Sequence, residues 1–444
     1  MTKSTLTPLG TTLLTRRTLL TAAAAGAVGV SLAACAPGGT SGTGTKTLKL
    51  WSDHSTEELA GIKQVVADFE KAQGGSIKVE ILNIADGGQY YTKLKTAAVG
   101  NNLPDVFYVR TFDTAPFATK TWTRPIDDLI QRDSTEVVPD DFWAAQTAQF
   151  TYEDKVYALP YDFSNIGVYI NKSMFEAEGI PLPDASWTWD DYYATAAKFV
   201  KKEGGKQTRW GTTLLTADWY MLGVFASNGG KVFSDDLTQC VINSSENVAT
   251  LQAMLDAMEA GAAPLPNATP AGVDPFSGEL AAMYIMGSFA TTGVRASVDG
   301  KFDWDVAPLP NGSTGTRGVS CAGGGWSIAG SAGDVDASWE LVKALASPAA
   351  QEILIVEPTR SVPGRQSSAE QWAEQAAASN EPPASIQIFV DQMKTDAIDV
   401  HYPTFWQDFQ TIWGNQIGTL GAGGEPAAIL ANVQDETNKL IARS

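Results

Sequence analysis

The strongest constraint on the fold is an alternation of two hydrophobic periods. Thr47-Leu48-Lys49-Leu50-Trp51-Ser52 alternates apolar and polar residues, as a strand does. The spacing then predicts a helix over Glu57 to Ala72, with Leu59, Ile62, Val65, Val66 and Phe69 on one face. Ile77 to Leu82 reads as a second strand, Tyr90 to Val99 as a second helix and Asp105 to Val109 as a short apolar third strand. Strands that alternate with helices predict an α/β fold with a parallel, doubly wound sheet. Ligands of such sheets sit beyond the carboxyl ends of the strands. Ser52, Asp53, Asp86 and the run Arg110 to Asp113 are therefore the first places to look.

The pattern continues less regularly. Val156 to Pro160 and Gly167 to Asn171 are apolar segments; Lys172 to Gly179 reads as a helix stopped by its glycine. A helix is expected over Trp189 to Lys202, capped by Thr188 or Asp190, and a strand over Trp210 to Leu215. Helices follow at Trp219 to Ser227 and Asn247 to Ala260, and a buried segment at Leu280 to Met286. Phe302 to Val306 runs into a proline-rich turn. Further helices are expected at Val335 to Ala346, Phe405 to Leu420 and Pro426 to Ala442.

With 444 residues, the chain is long enough for two domains. Its formal charge of −19 would repel a polyanion, so nucleic-acid binding is disfavoured. The two histidines, His54 and His401, cannot build a multi-histidine metal centre, and no EF-hand spacing surrounds Asp190-Asp191 or Asp235-Asp236. Those carboxylates read as caps and solvated loops. No metal and no cofactor are expected.

Residues 1–35 carry Lys3, Arg16 and Arg17 and no acid, followed by a small, uncharged run to Ala34. That is the form of a secretory signal peptide. Arg16-Arg17 followed by Thr18-Leu19-Leu20 resembles a twin-arginine signal, although a general secretory signal can also hold two arginines. Leu32-Ala33-Ala34-Cys35 resembles a lipobox, which would make Cys35 the diacylated first residue of the mature chain. Residues 36–45 are a Gly/Thr/Ser-rich tether. Removing the +3 signal from −19 leaves −22, a charge that disfavours anionic lipid, so the lipid would be the only membrane attachment. The expected location is the extracellular face of the cell membrane.

A further set of motifs runs in order along the chain. It comprises Leu48-Lys49-Leu50-Trp51, Leu103-Pro104-Asp105-Val106-Phe107, Tyr157-Ala158-Leu159-Pro160-Tyr161 and Tyr169-Ile170-Asn171-Lys172-Ser173-Met174-Phe175. Ser186-Trp187-Thr188-Trp189-Asp190-Asp191, Phe276-Ser277-Gly278-Glu279-Leu280, Phe302-Asp303-Trp304-Asp305-Val306 and Gly323-Gly324-Gly325-Trp326-Ser327-Ile328 follow. From about residue 46 this order resembles family 1 extracellular solute-binding proteins, the carbohydrate-binding lipoproteins of ABC importers, of the maltose-binding-protein type. The resemblance implies a two-lobed, type II periplasmic-binding-protein-like fold with lobes joined by crossing segments near Pro160, Ala322 and Arg360. The lobes would be 46–160 plus 322–360, and 161–321 plus 361–444. It also implies a carbohydrate ligand, hinge closure, ABC permease subunits as partners, and a binding protein rather than an enzyme, acting as a monomer. The ATPases would be separate chains, since no Walker motif is present.

A sugar site needs multidentate polar groups for hydroxyls and flat rings for C–H faces. The expected substrate-binding residues sit at strand ends and crossings. They are Ser52, Asp53, Asp86, Tyr90, Arg110, Asp113, Tyr161, Asp162, Trp219, Tyr220, Phe289, Gly324, Trp326 and Arg360. The resemblance supports Ser52, Asp53, the loop Arg110 to Asp113, Trp219, Phe289 and Trp326. Trp51, Trp187, Trp210, Trp304 and Trp339 read instead as packing residues. Cys240 and Cys321 could form one disulfide or remain two buried thiols. The rival readings are a secreted glycoside hydrolase, which needs two carboxylates across a bond, and a sugar-sensing lipoprotein without transport.

Overall fold

The computed structural model describes residues 45–443, apart from 267, 270–272 and 357–360. The export signal, Cys35, tether residues 36–44 and Arg360 lie outside the described residues.

Strand β1 (Lys46–Ser52) buries Leu48, Leu50 and Ser52 on one side, as its alternation requires. Helix α1 (Thr56–Ala72) opens with a capping box: the Ser55 hydroxyl accepts from the Glu58 amide, and the Glu58 carboxylate accepts from the Ser55 amide at 2.7 Å. Its buried face is Ile62, Val65, Val66 and Phe69. Strand β2 (Ile77–Asn83), helix α2 (Gly87–Val99) and strand β3 (Val106–Arg110) follow, and β1 pairs in parallel with both β2 and β3.

The parallel expectation stops there. The remaining strands of the main sheet are β4 (Leu159–Asn171), β5 (Met283–Gly287), β6 (Trp304–Ala307), β7 (Cys321–Ile328) and β8 (Val362–Pro363). Strand β7 runs antiparallel to β3 and β4, and β5, β6 and β8 all pair antiparallel with β4. The eight-stranded sheet is therefore mixed. The chain passes across on β4 and returns on β7, which runs antiparallel to it.

Strand β4 is two strands in one. Its first half pairs with β7 and β8; from Ile166 onward it pairs with β5 and β6. Between the halves of the β4–β7 pairing the register slips: Gly324 faces Asp162, whereas Gly325 faces Pro160. Tyr161 is the extra residue of this bulge, and bulges add local twist. Its carbonyl accepts from the Gly364 amide at 3.0 Å and the Gln351 side chain at 2.5 Å.

The apolar side chains divide at the same place. Leu159 and Tyr161 join a core with Leu50, Ile62, Trp326, Trp339 and Leu345. Phe163, Ile166, Val168 and Ile170 join a larger core with Phe225, Leu251, Trp304, Trp406 and Leu430. A smaller cluster of Tyr90, Leu94, Phe107 and Phe117 covers the β1–β3 region. Helices α3 (Asp218–Ser227) and α4 (Ser245–Glu259) serve the larger core, as do α6 (Gln366–Ala378), α7 (Ile388–Thr395), α8 (Trp406–Ile417) and α9 (Pro426–Ile441). Helix α5 (Val335–Leu345) serves the first core. Among the described residues, no helix is long and apolar enough to cross a membrane.

Some local expectations need correction. Trp210 to Leu215 is not a strand; Trp210 makes one bridge to Ala281, and the amides of Gly211 and Thr212 donate to the Ala262 carbonyl. The helix from Trp189 ends at Lys198, because Lys201–Glu203 pairs with Lys206–Arg209 around Gly204-Gly205, both at positive φ. Of the two readings left open for Cys240 and Cys321, the structure shows the second: both are buried free thiols. Burial raises their pKa values to about 11 and about 12, so neither is poised to react.

Trp339 on α5 is wholly buried, and its indole N–H donates to Asp133 at 2.7 Å. Trp339→Ala should lower unfolding free energy by roughly 3–5 kcal/mol. Urea titration checks this; a loss below about 1 kcal/mol would mean the core collapses around the missing ring.

Candidate functional site

The register brings four expected residues to one place. Arg110 ends β3, Asp162 lies mid-β4, and Gly324 on β7 pairs with both. Asp53 follows β1 directly and holds the Arg110 guanidinium at 2.7 Å. The Asp53 side chain is only 5 % exposed while that of Arg110 is 36 % exposed, so the pair has a buried acid and a guanidinium that a ligand can reach. The guanidinium lies 4.8 Å from the centre of the Tyr91 ring and 5.9 Å from that of Phe112, which restricts its orientation.

Glycines make this arrangement possible. A Cβ on Gly87 would fall 2.2 Å from Arg110 Nη2 and 3.2 Å from Asp53 Oδ2. A Cβ on Gly324 would fall 1.9 Å from the Tyr108 ring. The space over Gly324 is thus taken by Tyr108, not left for close approach of a ligand to the backbone. The Tyr108 hydroxyl in turn reaches Asp162 at 3.4 Å, and the Ser361 hydroxyl donates to the same carboxylate at 2.7 Å.

Two carboxylates here are held in a perturbed state. Burial pushes Asp162 up to about 6, against hydrogen bonds from Ser361, the Gly324 backbone and Tyr108. Burial likewise pushes Asp113 up to about 6, with the Lys95 charge and a Gln407 hydrogen bond opposing. The side-chain amide of Gln407, on α8, donates to Asp113 and accepts from Lys95 at 2.5 Å.

Several expected site residues are committed elsewhere. Ser52 is buried and donates to Asn83 at 2.7 Å. Asp86 caps α2, accepting from the Gln89 amide. Tyr90 is buried with its hydroxyl on the carbonyls of Trp51 and Tyr108; its neighbour Tyr91, one helical step round, supplies the ring beside Arg110. Tyr161 and Trp326 are buried in the first core, where both pack around His54 together with Tyr108. Tyr220 is buried in the second core. Trp219, in the first turn of α3, is only partly buried. Phe289, in the turn after β5, is 46 % exposed, an unusual cost for a phenyl ring.

The structure adds Tyr91, Tyr108, Ser361, Lys95 and Gln407 to the neighbourhood and places Phe112, within the expected loop, beside Arg110. Only Tyr108 and Phe112 carried a usable signal, as residues in or just after β3. Elsewhere, a groove of about 470 Å³ is lined by Leu222, Phe233, Asp235, Ile398, His401 and Trp406. Among the described residues, no group of three or more His, Cys, Asp or Glu side chains is placed to hold a metal ion.

A family model described as bacterial extracellular solute-binding protein matches residues 52–352. An arabinooligosaccharide-binding protein of Halalkalibacterium halodurans is 26% identical over 128 residues, which cover 29% of this chain and 28% of that relative. The alignment thus spans little more than a quarter of that relative's length. Among solved structures, an ABC substrate-binding protein of Listeria monocytogenes in complex with cycloalternan superposes with a TM-score of 0.76 at 23% identity, covering 89% of this chain and 99% of the other. A cyclic alpha-maltosyl-1,6-maltose binding protein of Arthrobacter globiformis superposes at 0.74 with 20% identity, covering 90% and 100%. These likenesses establish the two-lobed type II periplasmic-binding-protein fold.

The Asp162 shift sets a pH dependence. Its folded pKa near 6 lies above the ordinary 3.8, so the folded state binds the proton more tightly. Its unfavourable contribution appears as pH rises from about 4 through 6 and is fully present above that. Asp162→Asn, which keeps an acceptor for Ser361, should therefore melt higher than wild type at pH 7.5. The gap should close as pH falls to 4. A gap that does not change with pH would mean that burial does not raise the Asp162 pKa.

Proposed function

The chain belongs to the bacterial extracellular solute-binding proteins, and from that premise we propose that it captures a di- or oligosaccharide between its lobes and delivers it to an ABC permease. The lobes are 46–160 plus 322–360, and 161–321 plus 361–444. Support comes from the division of apolar side chains along β4, which falls between Tyr161 and Phe163, just past the proposed boundary, and from the bulge where β4 meets β7. Three segments cross, and they are the elements that carry Asp162 and Gly324 and that follow Arg360.

One observation carries the reading. The Asp53–Arg110 pair, at the ends of β1 and β3, and Asp162, on the crossing strand β4, gather multidentate polar groups with rings beside them. Carboxylates accept from sugar hydroxyls, and a guanidinium with reachable N–H groups donates to them. Trp219, partly buried, and Phe289, exposed, stand on elements of the second core and supply flat surfaces for C–H faces. A ligand touching both sets favours the closed arrangement by its differential affinity for it. Binding without turnover fits the relatives, which are named as binding proteins.

Cys35 carries the lipid, and residues 36–45 tether it to the rest of the chain. The mature protein acts as a monomer on the outer face of the cell membrane. The permease partners bring separate ATPase chains.

A thermal-shift screen over neutral oligosaccharides, followed by calorimetry, tests the proposal. At least one should bind unchanged and saturably. Asp53→Ala and Trp219→Ala should each weaken it about tenfold or more, in line with losing a charged hydrogen bond or a stacked ring. Appearance of new reducing ends would instead make the protein a hydrolase, and wild-type affinity in both variants would move the site elsewhere. Cys35→Ser should move the protein from membrane to soluble fraction; retention after carbonate washing would contradict lipid anchoring.

A further inference from the structure

Asp113 and Lys95 both belong to the first lobe, on the turn after β3 and on α2, while Gln407 sits in the first turn of α8 in the second. The two charges do not pair with each other alone. The Gln407 amide stands on both, its oxygen accepting from the Lys95 ammonium at 2.5 Å and its nitrogen donating to the Asp113 carboxylate. This orientation is the one electrostatics permits: turning the amide over would set NH₂ against an ammonium and oxygen against a carboxylate. Beside it, the Phe112 and Tyr402 rings meet edge to face at 6.1 Å, again from opposite lobes.

We propose that Gln407 is a positioning residue, a latch that holds the two lobes together in the absence of carbohydrate and so sets how much of the protein is closed before ligand arrives. The inference rests on the lobe division given under the proposed function, but not on the identity of the ligand. Glutamine suits the role because one planar group both accepts and donates. Glutamate at this position would repel Asp113, and lysine would repel Lys95. If the amide is removed, Lys95 and Asp113 can satisfy each other within one lobe, which releases the other. Hydrogen bonds to charged groups are the stronger class, so the latch is expected to shift the open-to-closed ratio by about tenfold or more.

Hydrogen–deuterium exchange on the full chain without sugar tests this, with small-angle scattering as a second readout. Gln407→Met keeps the length and helix preference of the side chain and removes both bonds. Backbone exchange should rise about tenfold or more in both 111–118 and 402–410, and the radius of gyration should increase, while α4 and α5 stay unchanged. Lys95→Met should produce the same pattern. Asp113→Asn, which retains an acceptor, should keep most of the protection. Faster exchange confined to the first turn of α8 would show a local helix effect and overturn the latch, as would unchanged exchange and scattering. Because no carbohydrate is present, failure here leaves the sugar-binding proposal standing, and failure of every sugar to bind leaves the latch standing.

Discussion

Everything in this molecule is arranged around one strand that serves two cores. Strand β4 gives Leu159 and Tyr161 to one and Phe163 through Ile170 to the other. A single continuous strand cannot be part of two independent packings unless its register is fixed on both sides, because a one-residue slip turns every side chain over. The bulge at Tyr161 supplies the local break. It also leaves Asp162, a carboxylate, in the sheet between the apolar sets, where it must find hydrogen bonds or stay protonated. Tyr108, Ser361 and the Gly324 backbone meet that need.

The same economy governs the charges. The chain is strongly acidic, yet the Arg110 guanidinium at the candidate site is fixed by Asp53 and two rings. An arginine held in this way loses little further freedom on binding a hydroxyl, which is the sense in which the site is preorganised. Gly87 and Gly324 are the steric conditions for it: each is the place where a methyl group would collide with a functional side chain. The Gln407 amide likewise ties two charges, Lys95 and Asp113, to α8.

Much of the fold was legible in the sequence because binary patterning is local. The three strands and two helices from Lys46 to Arg110 stand where alternation and the apolar stripes put them, and Gly179 ends its helix in the left-handed region at φ 62°. What was not legible depends on distant partners. Trp210 to Leu215 has strand-like residues but no strand beside it. Helix α6 was unassigned because its buried face is built from Ala369, Ala373 and Ala376 around Trp372, a stripe of low contrast. Among the candidate residues, the positions of Asp53, Arg110 and Asp162 follow from strand ends and crossings. Tyr90 and Tyr91 differ by one step of helical phase, and only packing puts the Tyr91 ring beside Arg110; Gln407, 294 residues from Asp113, carries no local signal.

The central claim is that a carbohydrate is held at the crossing strands by both lobes at once. The most direct measurement is a crystal structure with whichever oligosaccharide raises the melting temperature most. The account predicts sugar hydroxyls on Asp53, Arg110 and Asp162, with a ring face on Trp219 or Phe289. A sugar bound to one lobe alone, away from β4 and β7, would contradict it.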